Sequence, residues 1–334
     1  MPDMISVVIP LYNRADLVGE TLDSVLAQSY SEWECIVVDD RSTDASADVV
    51  RSYMEKDNRF RLLIRPEDRI KGGPTCRNIG LENARGDLLF FLDSDDVLTP
   101  LFFETVVGNM EKNPNADFAL LPCDKFTESI DHPFTFLNSN LEGSSVYDII
   151  FRKFIVSVMS YVWRARLIRE NQITWTEGLP RSQDTDFAFK CVAASNDGVV
   201  IKLEPMNHVR EHKGNITNQS FHDPGIALIM FGVFVESYRR LDGNGKMTPS
   251  NKELFFSGLV AKIYHIGILY GNRKVIGDAC RFMRENGGDL DNLRALQRKL
   301  NTLWWLLPVI KPFRSFLLKA KTGSFSRWLY KLGR

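Results

Sequence analysis

Asp87-Leu88-Leu89-Phe90-Phe91-Leu92-Asp93-Ser94-Asp95-Asp96, DLLFFLDSDD, sets an apolar run against a sudden cluster of acids. The run is a block of large side chains without alternation, the pattern of a strand covered on both faces. Asp93, Asp95 and Asp96 stand just beyond it, three carboxylates within four residues. They repel one another unless a cation lies among them.

The same arrangement recurs upstream. ISVVIP (5–10), ECIVVD (34–39) and RLLI (61–64) are further β-rich runs, followed by helical patterns at 15–28, 44–57 and 75–85, and a fourth helix is predicted at 100–112. Four strand-then-helix units predict an α/β fold, with a mainly parallel central sheet, right-handed crossovers and helices on both faces. Such sheets bind ligands at the carboxyl ends of their strands. Polar residues collect at those ends: Pro10-Leu11-Tyr12-Asn13, Asp39-Asp40 and Asp93-Ser94-Asp95-Asp96.

Further along, the pattern predicts a strand at 117–122, a helix near 146–153, a helix led by Ser182 and a strand at 198–203. From 223 onwards the chain reads as helical, with amphipathic stretches at 225–241, 250–271 and 289–305. The expected organisation is a catalytic domain over 1–222 and a helical C-terminal region over 223–334.

Composition restricts the function classes. Lys+Arg and Asp+Glu both number 42 in the 334 residues, so net charge points to neither nucleic acid nor membrane. Cys35, Cys76, Cys123, Cys191 and Cys280 form no CxxC pair, which argues against a disulfide framework or a zinc site and for reduced thiols in the cytoplasm. The start MPDMISVVIP has no signal-peptide pattern, and LWWLLPVI (303–310) is too short to span a bilayer.

The acidic cluster admits three readings. An Asp-x-Asp at a strand end suits a hard cation, Mn²⁺ or Mg²⁺, with coordination positions left for phosphate. A structural reading makes Asp96 or Thr99 the cap of the helix near Pro100. D-x-D-x-V-L also resembles the first motif of haloacid-dehalogenase-type phosphatases, with Asp93 as phosphoryl acceptor and Asp95 as general acid. That motif belongs to a first strand, whereas three strand-helix units precede it here.

The motifs taken together resemble inverting glycosyltransferases of family 2, whose fold is the nucleotide-diphosphosugar type called GT-A. The matching segments are SVVIPLYNRADLVGETLDSVLAQSY (6–30), WECIVVDDRSTDAS (33–46), TCRNIGLENARGDLLFFLDSDDVLTP (75–100), VWRARLIRENQITWTEGLPRSQDTDFAFK (162–190) and VREHKGNIT (209–217). The resemblance implies a nucleotide-contacting loop at Pro10, Tyr12 and Asn13, with an ordinary turn capped by Asn13 or Asp16 as the structural alternative. It implies Asp40 as acceptor of a uracil imide N–H and Asp39 as support of the loop. Arg41 stands where the family has glycine or asparagine.

By the same resemblance Arg77 approaches the base or diphosphate across the loop Lys71-Gly72-Gly73-Pro74, Asp93 and Ser94 serve the donor nucleotide, Asp95 serves the metal, and Asp96 is either a further metal contact or an acceptor-side residue. The metal would stabilise the departing diphosphate. Inversion needs one carboxylate to take the acceptor's proton. The motif Gln183-Asp184 gives that role to Asp184, with Asp186 as fallback; Ser182 as a helix cap is compatible with it. Arg210 is implied at the diphosphate and His212 as a third group at the metal, with His208 as its rival.

After Asp291 the chain carries no acid, and basic residues alternate with Trp304, Trp305, Phe313, Phe316, Trp328 and Tyr330. Through 294–334 this suits peripheral contact with an anionic membrane, or a hairpin packed on the domain with a basic outer face. The expected partners are a UDP-linked sugar donor and a glycan or lipid-linked glycan acceptor at the cytosolic face, and no nucleic acid. The non-catalytic alternative is a sugar-nucleotide-binding assembly subunit.

Overall fold

The computed structural model describes residues 3–127, 135–136, 145–153, 157–201, 206–211, 224–270 and 273–288. The first half alternates as its pattern predicts: β1 (Ile5–Leu11), α1 (Val18–Leu26), β2 (Trp33–Asp39), α2 (Ser46–Lys56), β3 (Phe60–Ile64), α3 (Gly73–Asn83), β4 (Leu88–Phe91), β5 (Val97–Leu98) and α4 (Phe102–Lys112). There follow β6 (Phe118–Leu120), β7 (Asp124–Phe126), β8 (Thr135–Phe136), α5 (Val146–Lys153), a 3-10 turn (Val158–Ser160), β9 (Tyr161–Arg164) and α6 (Ala165–Glu170). The remaining elements are α7 (Gln183–Ala194), β10 (Gly198–Val200), β11 (Asn207–Arg210), α8 (Pro224–Gly243), α9 (Pro249–Tyr270) and α10 (Arg273–Glu285).

Seven strands form one sheet in the order β10-β6-β9-β4-β1-β2-β3. β1 lies parallel to β2 and β4, with Ile5 opposite Trp33 and Leu88, and β2 lies parallel to β3. Every residue of β2 and β4 is buried, as the unbroken apolar runs require. The α/β class with a mainly parallel sheet is therefore what the chain adopts. The exception is β9, antiparallel to β4 and β6. Its four residues, YVWR, are too few for periodicity to separate strand from helix.

A second sheet, β5-β11-β7-β8, also lay below that threshold. In it Val97 faces His208 across an antiparallel pair, and Arg210 faces Phe126 across a parallel one. This sheet brings the chain at 207–210 back to the acids after β4.

α3 is the element that most constrains the carboxyl edge. Pro74 opens it, where a missing N–H loses no hydrogen bond, and residues from Pro74 to Gly80 are buried. Gly80 lies so close to Val8 of β1 that a side chain there would overlap the Val8 isopropyl group. Backbone contact this close fixes α3, and with it Arg77, against the central strand.

The predicted side-chain caps are not the ones used. α4 has Leu101 as its N-cap residue, Asp96 bonds elsewhere, and Phe103 N–H donates instead to Gln28 Oε1 at 2.9 Å. Asn13 and Asp16 cap nothing in α1, whose N-cap residue is Leu17. Ser182 precedes α7 in the left-handed region, at φ 59°, with no capping bond from its side chain.

The chain divides into two compact units, 1–220 with 232–258, and 221–231 with 259–334. The C-terminal helices thus contribute residues 232–258 to the first unit. Phe255 explains this, with ring centroids 6.1 Å from Phe151 and 5.9 Å from Phe189. In the second unit Phe231 meets Phe282 edge-on at 6.2 Å. No helix among the described residues is long and apolar enough to cross a membrane. The tail at 294–334 and the stretch 289–305 lie outside the described residues.

Candidate active site

The carboxyl ends of β1, β2, β3 and β4 converge, and β1 is the strand where the chain's order along the sheet reverses, the usual place for a ligand crevice. The loops after β1 and β2 are bonded together. Asp40 N–H donates to Leu11 O at 2.7 Å, Asn13 N–H to Ser42 Oγ at 3.0 Å, and Thr43 N–H to Asn13 Oδ1 at 2.8 Å. Asn13 adopts φ 50°, a conformation asparagine tolerates. Pro10 pairs in register with Val38, and Tyr12 is exposed with Lys71 Nζ 3.7 Å above its ring.

The two acids after β2 differ in their partners. Asp39 accepts the Ser42 N–H at 3.1 Å and the Ser42 hydroxyl at 2.5 Å, so it holds its own loop. Asp40 is buried in an ion pair with Arg65, which also donates to Pro66 O at 2.9 Å and Arg69 O at 2.5 Å. Arg41 occupies the left-handed region at φ 63°, which accounts for a preference for glycine or asparagine at this position. Its guanidinium reaches Glu67 at 2.5 Å.

After β4 the acids separate into distinct environments. Asp93 is ion-paired with Arg77 Nη2 at 2.5 Å, and the buried Arg77 guanidinium lies 4.7 Å from the Trp175 ring centroid. Asp95 Oδ2 faces Arg14 Nε at 3.4 Å, and its carbonyl accepts Arg210 Nε–H at 3.0 Å. Ser94 is buried. Asp96 is buried as well, and its Oδ1 accepts the Arg210 backbone N–H at 2.8 Å. Burial, then the charges of Asp93 and Asp95, push its carboxyl well above the usual range.

Asp96, also expected at the metal, thereby anchors β11 to the acidic turn. His212 lies outside the described residues. His208, its rival, is buried against Asp124, with Nδ1 2.6 Å from Oδ1. Among the described residues no group of three acids, histidines or cysteines converges to hold a metal. Asp93 and Asp95 nevertheless fit a cation of the Mg²⁺ or Mn²⁺ kind. Their side chains are 38% and 17% exposed, and such ions take one or two carboxylates together with phosphate oxygens. The Arg14 guanidinium beside Asp95 shows that this carboxylate already takes a positive partner.

Asp184 stands in the first turn of α7 and accepts the backbone N–H of Val158. Burial pushes its carboxyl up to about 6, with Arg77 opposing the rise and Asp93 adding to it. Asp186 is otherwise engaged, accepting from Thr176 Oγ1 at 2.6 Å and pairing with Lys190 at 2.7 Å. The helix is seated by Trp175, stacked on Phe187 of α7 at 4.1 Å. Trp175 is in turn held by Asn78 of α3, which accepts its N–H at 2.8 Å and donates to its carbonyl at 3.0 Å.

Sequence reasoning missed Arg14, Glu20, Arg65 and Asn78. Arg65 had one signal, its place just beyond the carboxyl end of β3. Glu20, which pairs with Arg210, had none, because an acid in the first turn of an amphipathic helix is ordinary. A cavity of about 490 Å³ lined by Asn115, Asp117, Arg166 and Glu170 contains none of these residues. It lies near the start of β6 and the end of β9, away from the carboxyl edge of the parallel strands.

Residues 6–161 match the family "Glycosyl transferase family 2". An uncharacterized glycosyltransferase of Haemophilus influenzae is 41% identical over 110 residues, 33% of this chain and 43% of that relative. TarS, a poly(ribitol-phosphate) beta-N-acetylglucosaminyltransferase of Staphylococcus aureus, is 25% identical over 232 residues, 66% of this chain and 38% of TarS. The chain thus spans less than half the length of these relatives. The structure of TarS 1-349 in complex with UDP-GlcNAc aligns with 90% of this chain and 92% of its own, at TM-score 0.63 and 19% identity. The mannosyltransferase PcManGT from Pyrobaculum calidifontis, in complex with GDP-Man and Mn²⁺, aligns with 95% of this chain and 83% of its own, at TM-score 0.54 and 18% identity. At such identities the likeness is one of fold.

Proposed function

Because residues 6–161 are a glycosyl transferase family 2 domain with the GT-A fold, we propose that the chain is an inverting, metal-dependent glycosyltransferase. It moves a sugar from a nucleotide-diphosphate donor, UDP-linked, to a hydroxyl of a glycan or lipid-linked glycan at the cytosolic face of the membrane. The observation that supports this most is the nearness of Asp184 to the Arg77–Asp93 pair. An acid whose midpoint is pushed to about 6 stands beside the carboxylate at the donor edge.

In this reading the nucleoside lies over the loops after β1 and β2, with Asp40 and Arg65 at the base, Pro10, Tyr12 and Asn13 along it, and Asp93 and Ser94 at the ribose. Arg210 lies on the diphosphate side. Asp95, with Asp93 beside it, holds a Mn²⁺ or Mg²⁺ ion, which when bound supplies Lewis-acid stabilisation of the departing diphosphate. Asp184 accepts the proton of the acceptor hydroxyl as its oxygen attacks the anomeric carbon from the face opposite the diphosphate, inverting that centre. A base with its midpoint near neutral suits the task.

Calorimetric titration of UDP and GDP, with and without Mn²⁺, tests the reading on the wild type and on Asp95→Asn. Metal-dependent UDP binding lost in the variant is the expected result. Binding of neither nucleotide would overturn the donor assignment. Asp184→Asn that binds UDP but neither transfers nor hydrolyses the donor separates an enzyme from an assembly subunit.

A further inference from the structure

Only one oxygen of Asp40 is free to meet a ligand. Arg65 Nε–H donates to Oδ1, and Oδ2 has no hydrogen-bond partner among the described residues. The Asp40 and Arg65 side chains are 6% and 7% exposed, so the pair belongs to the floor of the carboxyl edge and not to a solvated surface. Both members are fixed from elsewhere. Arg65 N–H donates to Asp39 O at 2.9 Å, and its Nη1 donates to Pro66 O at 2.9 Å and to Arg69 O at 2.5 Å. Asp40 N–H bonds Leu11 O of β1 at 2.7 Å. The guanidinium can neither turn away nor slide across to the second oxygen without giving up its two loop carbonyls.

We infer that Arg65 sets which base the donor site accepts, by occupying one oxygen of Asp40 and leaving a single acceptor. This rests on the reading that lays the nucleoside over the loops after β1 and β2 with Asp40 at its base. An ionised carboxylate with both oxygens free takes two adjacent donors. Guanine offers two on one edge, N1–H and the N2 amino group, whereas uracil offers one, the imide N3–H between two carbonyls. With Oδ1 committed to Arg65, the remaining oxygen matches uracil and leaves a guanine donor buried without an acceptor, a mismatch that such sites reject. Arg65 thus acts through Asp40 as a positioning residue, and its effect is on the choice between nucleotides.

Calorimetric titration of UDP, GDP and CDP, each with Mn²⁺, into the full-length chain tests this on the alkaline side of neutral, where a carboxylate is ionised. Wild type should prefer UDP to GDP. Arg65→Met frees Oδ1 and should shift the ratio of the two affinities towards GDP by about tenfold or more, the usual worth of a bidentate base contact. Asp40→Asn keeps Arg65 as a pure donor, which takes the amide oxygen and turns Nδ2 to the base. That variant should shift preference from UDP towards CDP, because cytosine N3 accepts a hydrogen bond where uracil N3–H donates one. A general loss of packing weakens all three nucleotides alike. Ratios unmoved in both variants overturn the inference, as does wild type that binds GDP as tightly as UDP. Should Arg65→Met fail to fold, Asp40→Asn decides alone. Wild type that binds none of the three defeats the donor reading itself, and this inference with it.

Discussion

The backbone N–H of Arg210 donates to Asp96 Oδ1 at 2.8 Å, joining strand β11 to the acidic turn after β4 across 114 residues of sequence. The Arg210 side chain adds a bond to the Asp95 carbonyl at 3.0 Å and an ion pair with Glu20 of α1. Asp96 thus holds β11, and burial and its acidic neighbours push its carboxyl well above the usual range.

An amide offers the same acceptor with no charge to bury. Asp96→Asn should therefore fold with an unchanged or raised Tm and keep metal-dependent nucleotide binding. Asp96→Leu leaves the Arg210 N–H buried and unmatched, at a cost of about 1–3 kcal/mol, and should lower both. Differential scanning fluorimetry and calorimetry of the two variants check this. Loss of metal dependence in Asp96→Asn alone would return Asp96 to the metal.

Arg14 and Asp95 make a second specific expectation. A guanidinium 3.4 Å from the carboxylate opposes a cation arriving at the same oxygen. Partly exposed pairs contribute about 0–1 kcal/mol, so Arg14→Gln should tighten Mn²⁺ binding in the absence of nucleotide by up to about fivefold. Electron paramagnetic resonance counts the free Mn²⁺ directly. Weaker binding in the variant would show that Arg14 supports the metal site rather than competing for it.

How far the sequence could be read followed from the length of its signals. β1 to β4 and their helices were legible, because apolar runs of four to seven residues alternate with helical patterns. The acids at Asp93, Asp95 and Asp184 were legible through their motifs. β5, β7 and β11, of two, three and four residues, carry no periodicity, so the strand that brings Arg210 to Asp96 was not legible. Ion pairs such as Arg65 with Asp40 depend on which strands neighbour one another, and local pattern does not carry that information. The motif marks Asp96 as an acid at the site, but its bond to the Arg210 N–H depends on β11, which local pattern does not reveal.

Gly80 offers a test of the framework beneath the site. It is helical, with no need of positive φ, so propensity alone favours alanine there. The contact with Val8 decides otherwise, since the branched side chain of a central strand has little room to yield. Gly80→Ala should destabilise by about 1–3 kcal/mol through overpacking, read as a Tm loss of about 2–4 °C per kcal/mol in a domain of this size. Because α3 carries Arg77 and Asn78, the variant should also weaken UDP binding. A Tm equal to wild type would mean that α3 can move away from β1.

As the proposed base, Asp184 would connect catalysis to stability through one proton. Its carboxyl is raised from 3.8 to about 6 in the folded chain, chiefly by burial. A base must be ionised to act, so kcat/KM should rise with pH through a limb near 6 in the free enzyme. Stability runs the other way. Between those two values the folded state binds more protons than the unfolded one, so this group's stabilising contribution is complete below the unfolded value and is lost as pH rises through the folded one. Asp184→Asn removes that titration. The variant should be inactive yet more stable than wild type at pH values above the limb, on the order of 1–3 kcal/mol, with the gain fading in acid. Denaturant melts of both proteins across pH measure it. A stability difference that is flat with pH would show that Asp184 is ionised throughout, and the limb in kcat/KM would then belong to another group.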